Sequence, residues 1–256
     1  MAVVTDFRFM LEPASTVKRV PVPMPSRPSL SAALRALLPE RCVFCGARAQ
    51  PGEVCTDCWR DLPGRGRERC RVCAIPVASA QVCGHCLRDP PSYSHSVTAA
   101  DYRFPLDAAI ARLKYGPDLS LLAPLARLLT GAVRDRPAPD LLVPMPLSPA
   151  ALRARGFNQA VELARLIARE VRAPLSLATA VRRRDTAPQA SLPFDRRAGN
   201  VRGAFACETP VAGLRVTLID DVMTTGATME ELARTLRSAG AADVGVWVLA
   251  RTPRPD

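Results

Sequence analysis

Asp220 and Asp221 stand side by side at the end of the apolar run Val216–Ile219, and Thr224, Thr225, Gly226 and Thr228 follow directly. Two adjacent carboxylates accept hydrogen bonds from neighbouring hydroxyls, as a sugar diol presents them. The threonines and the glycine suit a different group. Backbone N–H groups at a helix start form an anion nest, the helix dipole favours negative charge there, and Gly226 lets a ligand approach the main chain. Diol acceptors followed by a phosphate cradle describe a site for a ribose 5-phosphate. The stretch has neither the Gly-Lys-Ser/Thr of a P-loop nor the spaced glycines of a dinucleotide fingerprint. A solvated strand-end turn with a threonine cap accounts for single members of this set, but not for their order.

Such a loop needs a strand before it and a helix after it. Val216–Ile219 is β-branched and aliphatic, and Leu232, Ala233, Leu236 and Ala239 recur at helix spacing until Gly240 stops them. Upstream the same alternation repeats: a strand over 97–102, helices over 106–115 and 119–133, a short strand at Leu141–Val143, and a helix over 159–171. A last strand is expected over 244–249. This pattern predicts an α/β fold, a mostly parallel sheet flanked by helices, with the ligand beyond the carboxyl ends of the strands. Taken whole, VTLIDDVMTTGATM at 216–229 resembles the phosphoribosyl-pyrophosphate (PRPP) motif of type I phosphoribosyltransferases.

The second chemical signal is a set of cysteines. Cys42 and Cys45 are followed by Cys55 and Cys58, then Cys70 and Cys73 by Cys83 and Cys86. Each pair is CxxC, nine residues separate the pairs in both halves, and the repeat has a period of 28 residues. Four such knuckles fit two structural zinc sites with four thiolates each. Disulfides fit less well, because nothing in the chain points to export. The repeat favours sequential sets, Cys42, Cys45, Cys55, Cys58 and Cys70, Cys73, Cys83, Cys86, and leaves cross-braced pairing open. Few large apolar residues accompany them, so metal is expected to supply most of this module's folding energy. His85 reads as an exposed knuckle residue, and Cys207 as a buried thiol outside the pattern.

Two further stretches carry donors. LSPAALRARGFNQA follows the strand at Leu141–Val143 and reads as a loop, with Arg153, Arg155, Gly156, Asn158 and Gln159 placed for pyrophosphate recognition. A solvated loop with Asn158 as a helix cap is the plainer reading. Between Arg184 and Phe205 there is little periodicity and many donors; Arg184, Gln189, Arg197 and Asn200 are lid candidates. A basic loop without that role is the alternative.

The order of these pieces resembles the ComF family of competence-associated, phosphoribosyltransferase-like proteins: two CxxC ribbons, Leu113-Lys114-Tyr115-Gly116, VPMPLS with RARGFNQA, TAPQ with RRAGNVRGAF, and the PRPP motif. The resemblance implies a double zinc ribbon ahead of a type I phosphoribosyltransferase-like domain. It implies PRPP as ligand, with Asp220 and Asp221 on the ribose hydroxyls. Met223, Thr224, Thr225, Gly226, Ala227 and Thr228 would lie around the 5-phosphate, and Leu147, Ser148, Arg155, Gly156, Asn158 and Gln159 toward the pyrophosphate. Asp220, Asp221 and Arg155 are the catalytic candidates, and Mg²⁺ would accompany PRPP. Single-stranded DNA and other competence proteins are the partners the family implies, and oligomerisation is left open. The expected organisation is a flexible tail at 1–28, with Met24 an alternative start, a double zinc ribbon with a short leading helix at 29–90, and the phosphoribosyltransferase-like domain at 91–256.

Charge and composition bound these readings. The formal charge is +11, carried almost wholly by arginine, with lysine only at Lys18 and Lys114. Two zinc ions and eight thiolates take this to about +7. Eleven arginines against four acids fall between Ala151 and Arg202, a concentration suited to a polyanion. A nucleic-acid-binding module is therefore the competing class of function, although an aromatic content of 5% limits base stacking. There is no apolar run of membrane-spanning length and no basic-then-apolar leader, so a cytoplasmic protein is expected, without membrane insertion.

Overall fold

The computed structural model describes residues 41–49, 54–79, 81–116, 118–184 and 201–253. The expected tail at 1–28, the helix at 29–38, and lid candidates Gln189, Arg197 and Asn200 lie outside them. Among the described residues no helix is long and apolar enough to cross a membrane.

Four parallel strands make the main sheet, in the order β1-β6-β5-β2: β1 His95–Asp101, β6 Asp243–Arg251, β5 Arg215–Met223 and β2 Leu141–Pro144. Val216–Ile219 does form a strand, but β5 runs on through both acids to Met223. The reason is pairing: β6 offers partners along its whole length, with Asp220 opposite Val248 and Met223 opposite Arg251. β6 is buried from Val244 to Arg251, as a strand covered on both faces must be.

Helices cover one face. α3 (Leu106–Tyr115), α4 (Leu122–Val133) and α6 (Gln159–Val171) bury Ile110, Leu125, Leu129, Leu163 and Ile167 against Ile219, Trp247 and Leu249. A 3₁₀ turn at Leu119–Leu121 leads into α4, where a single helix was expected. On the other face α7 (Ala227–Ser238) packs Met229, Leu232 and Leu236 on Leu218, Val244 and Val246.

Each cysteine module docks on a different face. Short helices α1 (Thr56–Arg60) and α2 (Gly84–Arg88) close the two CxxC loops. Val43, Phe44, Val54 and Trp59 of the first module pack on the α3–α4–α6 side. The second module enters the opposite core outright: Cys70, Cys73, Ile75, Cys83 and Cys86 are buried in one cluster with Met223, Met229 and Leu232. Hydrophobic packing on the sheet therefore shares the work that the residue count had left to metal.

Two elements depart from expectation. Pro149–Arg155 is a helix, α5, within the stretch read as a loop. Its start is chemically plain: the Ser148 hydroxyl accepts from the Ala151 N–H at 3.2 Å, and Pro149 occupies the first turn. Gly156, in the left-handed region at φ +77°, ends it. Strands β3 (Ala180–Arg182) and β4 (Phe205–Cys207) pair antiparallel in a second, two-stranded sheet. Cys207 at the end of β4 is half-buried, with its thiol on the Thr209 carbonyl at 3.2 Å, and His85 is exposed.

Candidate functional site

The four parallel strands end on one side, and the residues of interest collect there. β5 delivers Asp220 and Asp221, then Thr224 and Thr225 turn the chain into α7. Gly226 caps the helix at φ +91°, a conformation that only glycine takes without strain. A Cβ at that position would also stand 2.9 Å from the Met223 methyl and 3.2 Å from the Tyr93 hydroxyl. The Thr225 hydroxyl accepts from the Ala227 N–H at 3.2 Å. Thr224, Thr225 and Thr228 are half-buried and lie in a loop and a first helical turn, not inside a helix.

The two acids have different surroundings. Asp221 is buried beside Ile219 on the α3 side, and its Oδ2 meets Lys114 Nζ at 2.7 Å. Burial pulls the Lys114 ammonium down, but Asp221 and then Asp220 outweigh it and hold it above the ordinary lysine range. Asp220 keeps a partly open edge, and its Oδ1 accepts the Asp221 N–H at 2.8 Å. Burial first, and then the Asp221 carboxylate, push Asp220 well above the usual carboxylate range, against the pull of Lys114.

Arg155 lies at the end of α5, with its guanidinium 5.5 Å over the Tyr115 ring and Nη1 on the Gln159 Oε1 at 3.2 Å. The structure thus groups Arg155 and Gln159 with Lys114 and Tyr115 at the end of α3. Asn158 is turned elsewhere: its oxygen caps α6 on the Ala160 N–H at 2.9 Å, and its amide donates to the Met145 carbonyl at 3.0 Å. Ser148 is buried as the α5 cap, Leu147 is half-buried and Gly156 is exposed. Arg184 is exposed, and its guanidinium donates to the Arg202 carbonyl across the β3–β4 base. The Gly203 N–H on the same base donates to Glu231 of α7.

Lys114 is visible in the sequence only as part of Leu-Lys-Tyr-Gly, with no role; its one signal is being one of two lysines in an arginine-rich chain. Arg251 gave less signal still. It closes the apolar strand β6, is 4% exposed, and donates to the Met223 carbonyl at 3.0 Å and to the Thr224 carbonyl.

The cysteines form two sequential tetrads, Cys42, Cys45, Cys55, Cys58 and Cys70, Cys73, Cys83, Cys86, with all sulfurs of a set within 4.8 Å of one another. This settles the pairing in favour of sequential ribbons. A zinc–thiolate bond of about 2.3 Å puts the corners of a tetrahedron about 3.8 Å apart. The Cys45–Cys55 and Cys73–Cys83 sulfurs are both 3.7 Å apart. Burial pushes the Cys42 thiol up, but N–H groups of Cys55, Cys45 and Phe44 more than offset it and hold it at about 6. All four cysteines of the second set are buried, whereas Cys45 of the first is exposed.

Comparison with known proteins agrees with this arrangement. Residues 33–87 match the double zinc ribbon domain family, and residues 158–255 match the phosphoribosyl transferase domain family. DNA utilization protein YhgH of Salmonella typhi is 38% identical over 168 residues, covering 63% of this chain and 74% of the relative. Competence protein F of Haemophilus influenzae is 35% identical over 173 residues, with the same coverage. The chain belongs to the ComF family. Among solved structures, a purine phosphoribosyltransferase from Pyrococcus horikoshii aligns at a TM-score of 0.31, with 20% identity, over 50% of this chain and 70% of that one. By the two family models and the two cysteine tetrads, the ComF-family chain joins a double zinc ribbon with two zinc sites to a phosphoribosyl transferase domain.

Two measurements follow from this geometry. A chromogenic chelator should take zinc from the first tetrad roughly tenfold faster than from the second, since release from a buried site needs a local opening. Two equal rates would contradict the burial difference. Lys114→Met strands a buried carboxylate and should cost about 3 kcal/mol in a urea titration. Because Lys114 is raised in the folded state, the contribution of the pair is fully present below the ordinary lysine value of 10.5 and is lost as pH climbs through the raised one. An unchanged midpoint at neutral pH would show that the pair does not hold the fold.

Proposed function

We propose that this ComF-family chain binds PRPP at the carboxyl ends of β5 and β2. It would transfer the phosphoribosyl group to an acceptor, with Mg²⁺, in a cytoplasmic process tied to DNA uptake. Residues 29–90 would serve as the zinc module and 91–256 as the transferase-type domain. The observation that supports this most is the passage of β5 through Asp220 and Asp221 into a glycine-capped helix start bearing three half-buried threonines. The link to DNA uptake rests on relatives named for DNA utilization and competence.

On this reading Thr224, Thr225, Thr228 and the backbone from Gly226 hold the 5-phosphate. Asp220, the more open acid, accepts from the ribose diol, and Asp221 is fixed by Lys114 behind it. Arg155 faces the pyrophosphate, with Gln159 and Tyr115 limiting its rotamers. The bond from the anomeric carbon to the pyrophosphate oxygen breaks with its electron pair leaving on pyrophosphate. The resulting oxocarbenium-like charge lies near the carboxylates, and the acceptor's lone pair then closes the new bond. Mg²⁺, when bound, supplies charge neutralisation on the leaving group. One partly open carboxylate plus substrate phosphates is an ordinary donor set for it.

Calorimetry tests this. Asp220→Asn should weaken PRPP binding by about tenfold or more, in line with ~1.5–3 kcal/mol for a hydrogen bond to a charged acceptor. Ionised Asp220 is the better diol acceptor and its pKa is raised, so affinity should fall as pH drops through a point well above 3.8. Affinity indifferent to both changes would end this reading.

A second reading has its own observation. A cavity of about 600 Å³ lies between the first ribbon and the α4 and α6 ends, lined by Trp59, Arg127, Arg134, Arg136 and Trp247. Trp59 at the rim and the guanidinium groups together suit single-stranded DNA, with PRPP as a regulator and no turnover. In that case log K should fall with log salt by about 0.7 for each phosphate neutralised, and Arg134→Ala with Arg136→Ala should flatten the slope by one to two contacts. A salt-independent isotherm removes this alternative.

A further inference from the structure

The second cysteine knuckle lies against the loop that leads into α7, and one side chain joins them. Arg251 ends β6 and is buried. Its Nε donates to the carbonyl of Cys73, a member of the second tetrad, at 2.8 Å. Its Nη1 donates to the carbonyls of Met223, Thr224 and Thr252. One rigid, planar guanidinium is therefore shared between the knuckle and the first residues of the Thr224–Thr228 loop.

The knuckle side of this contact is itself held in a costly conformation. Ala74 has φ +56° although it carries a Cβ, and it is fully buried. Its N–H donates to the Cys70 carbonyl at 2.8 Å, and its carbonyl accepts from Arg69 Nη1 at 3.0 Å. Arg69 in turn pairs with the buried Asp101 at 2.9 Å, and Asp101 is the register neighbour of Arg251. Four thiolates on one metal cross-link this turn. Without the metal the turn loses its cross-link and keeps only packing and these hydrogen bonds, so Ala74 is freer to relax and the Cys73 carbonyl moves with it.

Two other contacts run in parallel. Tyr93 is buried in one cluster with Cys73, Cys83, Cys86 and Met223, with its hydroxyl close to Gly226. Glu230, in the first turn of α7, accepts from the Ser92 N–H and hydroxyl at 2.7 and 2.6 Å. The first tetrad has no part in any of these contacts; its module packs on the opposite face of the sheet.

We propose that Arg251 is a positioning residue that makes the order of the Thr224–Thr228 loop depend on metal in the second tetrad and not in the first. What the loop binds rests on the PRPP reading; the coupling itself does not. A buried guanidinium cannot leave its acceptors without loss, so a displaced Cys73 carbonyl shifts Arg251, and Arg251 shifts the loop carbonyls it holds. The N–H groups beyond Thr224 lose their aim together.

Hydrogen exchange on the ligand-free full-length chain tests this, with zinc content measured on each sample. Cys86→Ser should speed exchange of the Thr224–Thr228 amides by about tenfold or more, whereas Cys58→Ser should leave them unchanged. Arg251→Lys should keep both metals and still speed the loop, with α6 unchanged on the other face. If Cys86→Ser does not fold, Arg251→Lys decides alone. Wild-type exchange in Arg251→Lys, or equal loosening by Cys58→Ser and Cys86→Ser, overturns the proposal. In cobalt-loaded Cys58→Ser, PRPP with Mg²⁺ should shift the absorption of the remaining tetrad, because coupling is reciprocal, and adding Arg251→Lys should abolish the shift. An undiminished shift also overturns it. A chain that binds no PRPP by calorimetry yet shows this exchange pattern loses the functional reading and keeps the coupling; PRPP binding with unaltered exchange does the reverse.

Discussion

A guanidinium buried at the end of a central strand sets the terms for everything around it. Arg251 cannot be deprotonated to escape burial, so its donors must find oxygens. It finds them on the ends of β5 and β6 and on a cysteine knuckle that comes from far earlier in the chain. The Met223 carbonyl accepts the Thr252 N–H as well, so Arg251 adds a second donor where β5 and β6 stop. Charge and backbone thus satisfy one another at the place where an α/β sheet must open to a ligand.

The two acids show how adjacency in sequence hides a difference in role. The strand's pleat turns neighbouring side chains to opposite faces, so Asp221 takes the ion pair with Lys114 and Asp220 keeps the open edge. Burial and the neighbouring Asp221 carboxylate hold Asp220 high, and Lys114 pulls against them without prevailing. The same lysine fixes the end of α3, which carries Tyr115 under Arg155. The open acid and the stacked arginine are in this way both braced by one buried pair.

How far this was readable follows from which signals are local. The strand at Val216–Ile219, the helices over 106–115 and 159–171, and the cysteine repeat all have periodicity or spacing of their own, and they stand where expected. The extension of β5 through Asp220 and Asp221 has no such signal, because it depends on what β6 offers beside it. Helix α5 announced itself through Ser148 and Pro149, but its arginines drew attention to a ligand and away from the cap. β3 and β4 are too short for period-two alternation to show, and their pairing spans the intervening residues. At the candidate site, residue types were legible and partners were not: Asn158 reads as a donor for a ligand, yet its amide is already engaged by the Met145 carbonyl. Lys114 and Arg251 depend entirely on contacts with distant segments.

The cysteine repeat carries a last physical point. Its halves have the same spacing and the same sulfur geometry, so on sequence alone they are equivalent. The fold makes them unequal by placing one at the surface of the helical face and the other inside the core beneath α7. The first tetrad has one exposed and one buried cysteine, and its module meets the sheet through the partly buried Val43, Phe44, Val54 and Trp59. Metal at a buried tetrad replaces apolar volume that the core would otherwise need, and its loss leaves four polarisable thiols in a closed space with a strained turn attached. The difference does not lie in the ligands. It lies in Ile75, Tyr93 and Met223, which commit the second site to the packing of the sheet, and in the absence of comparable neighbours around Cys45 among the described residues. Two halves of equal spacing thereby become two different mechanical parts.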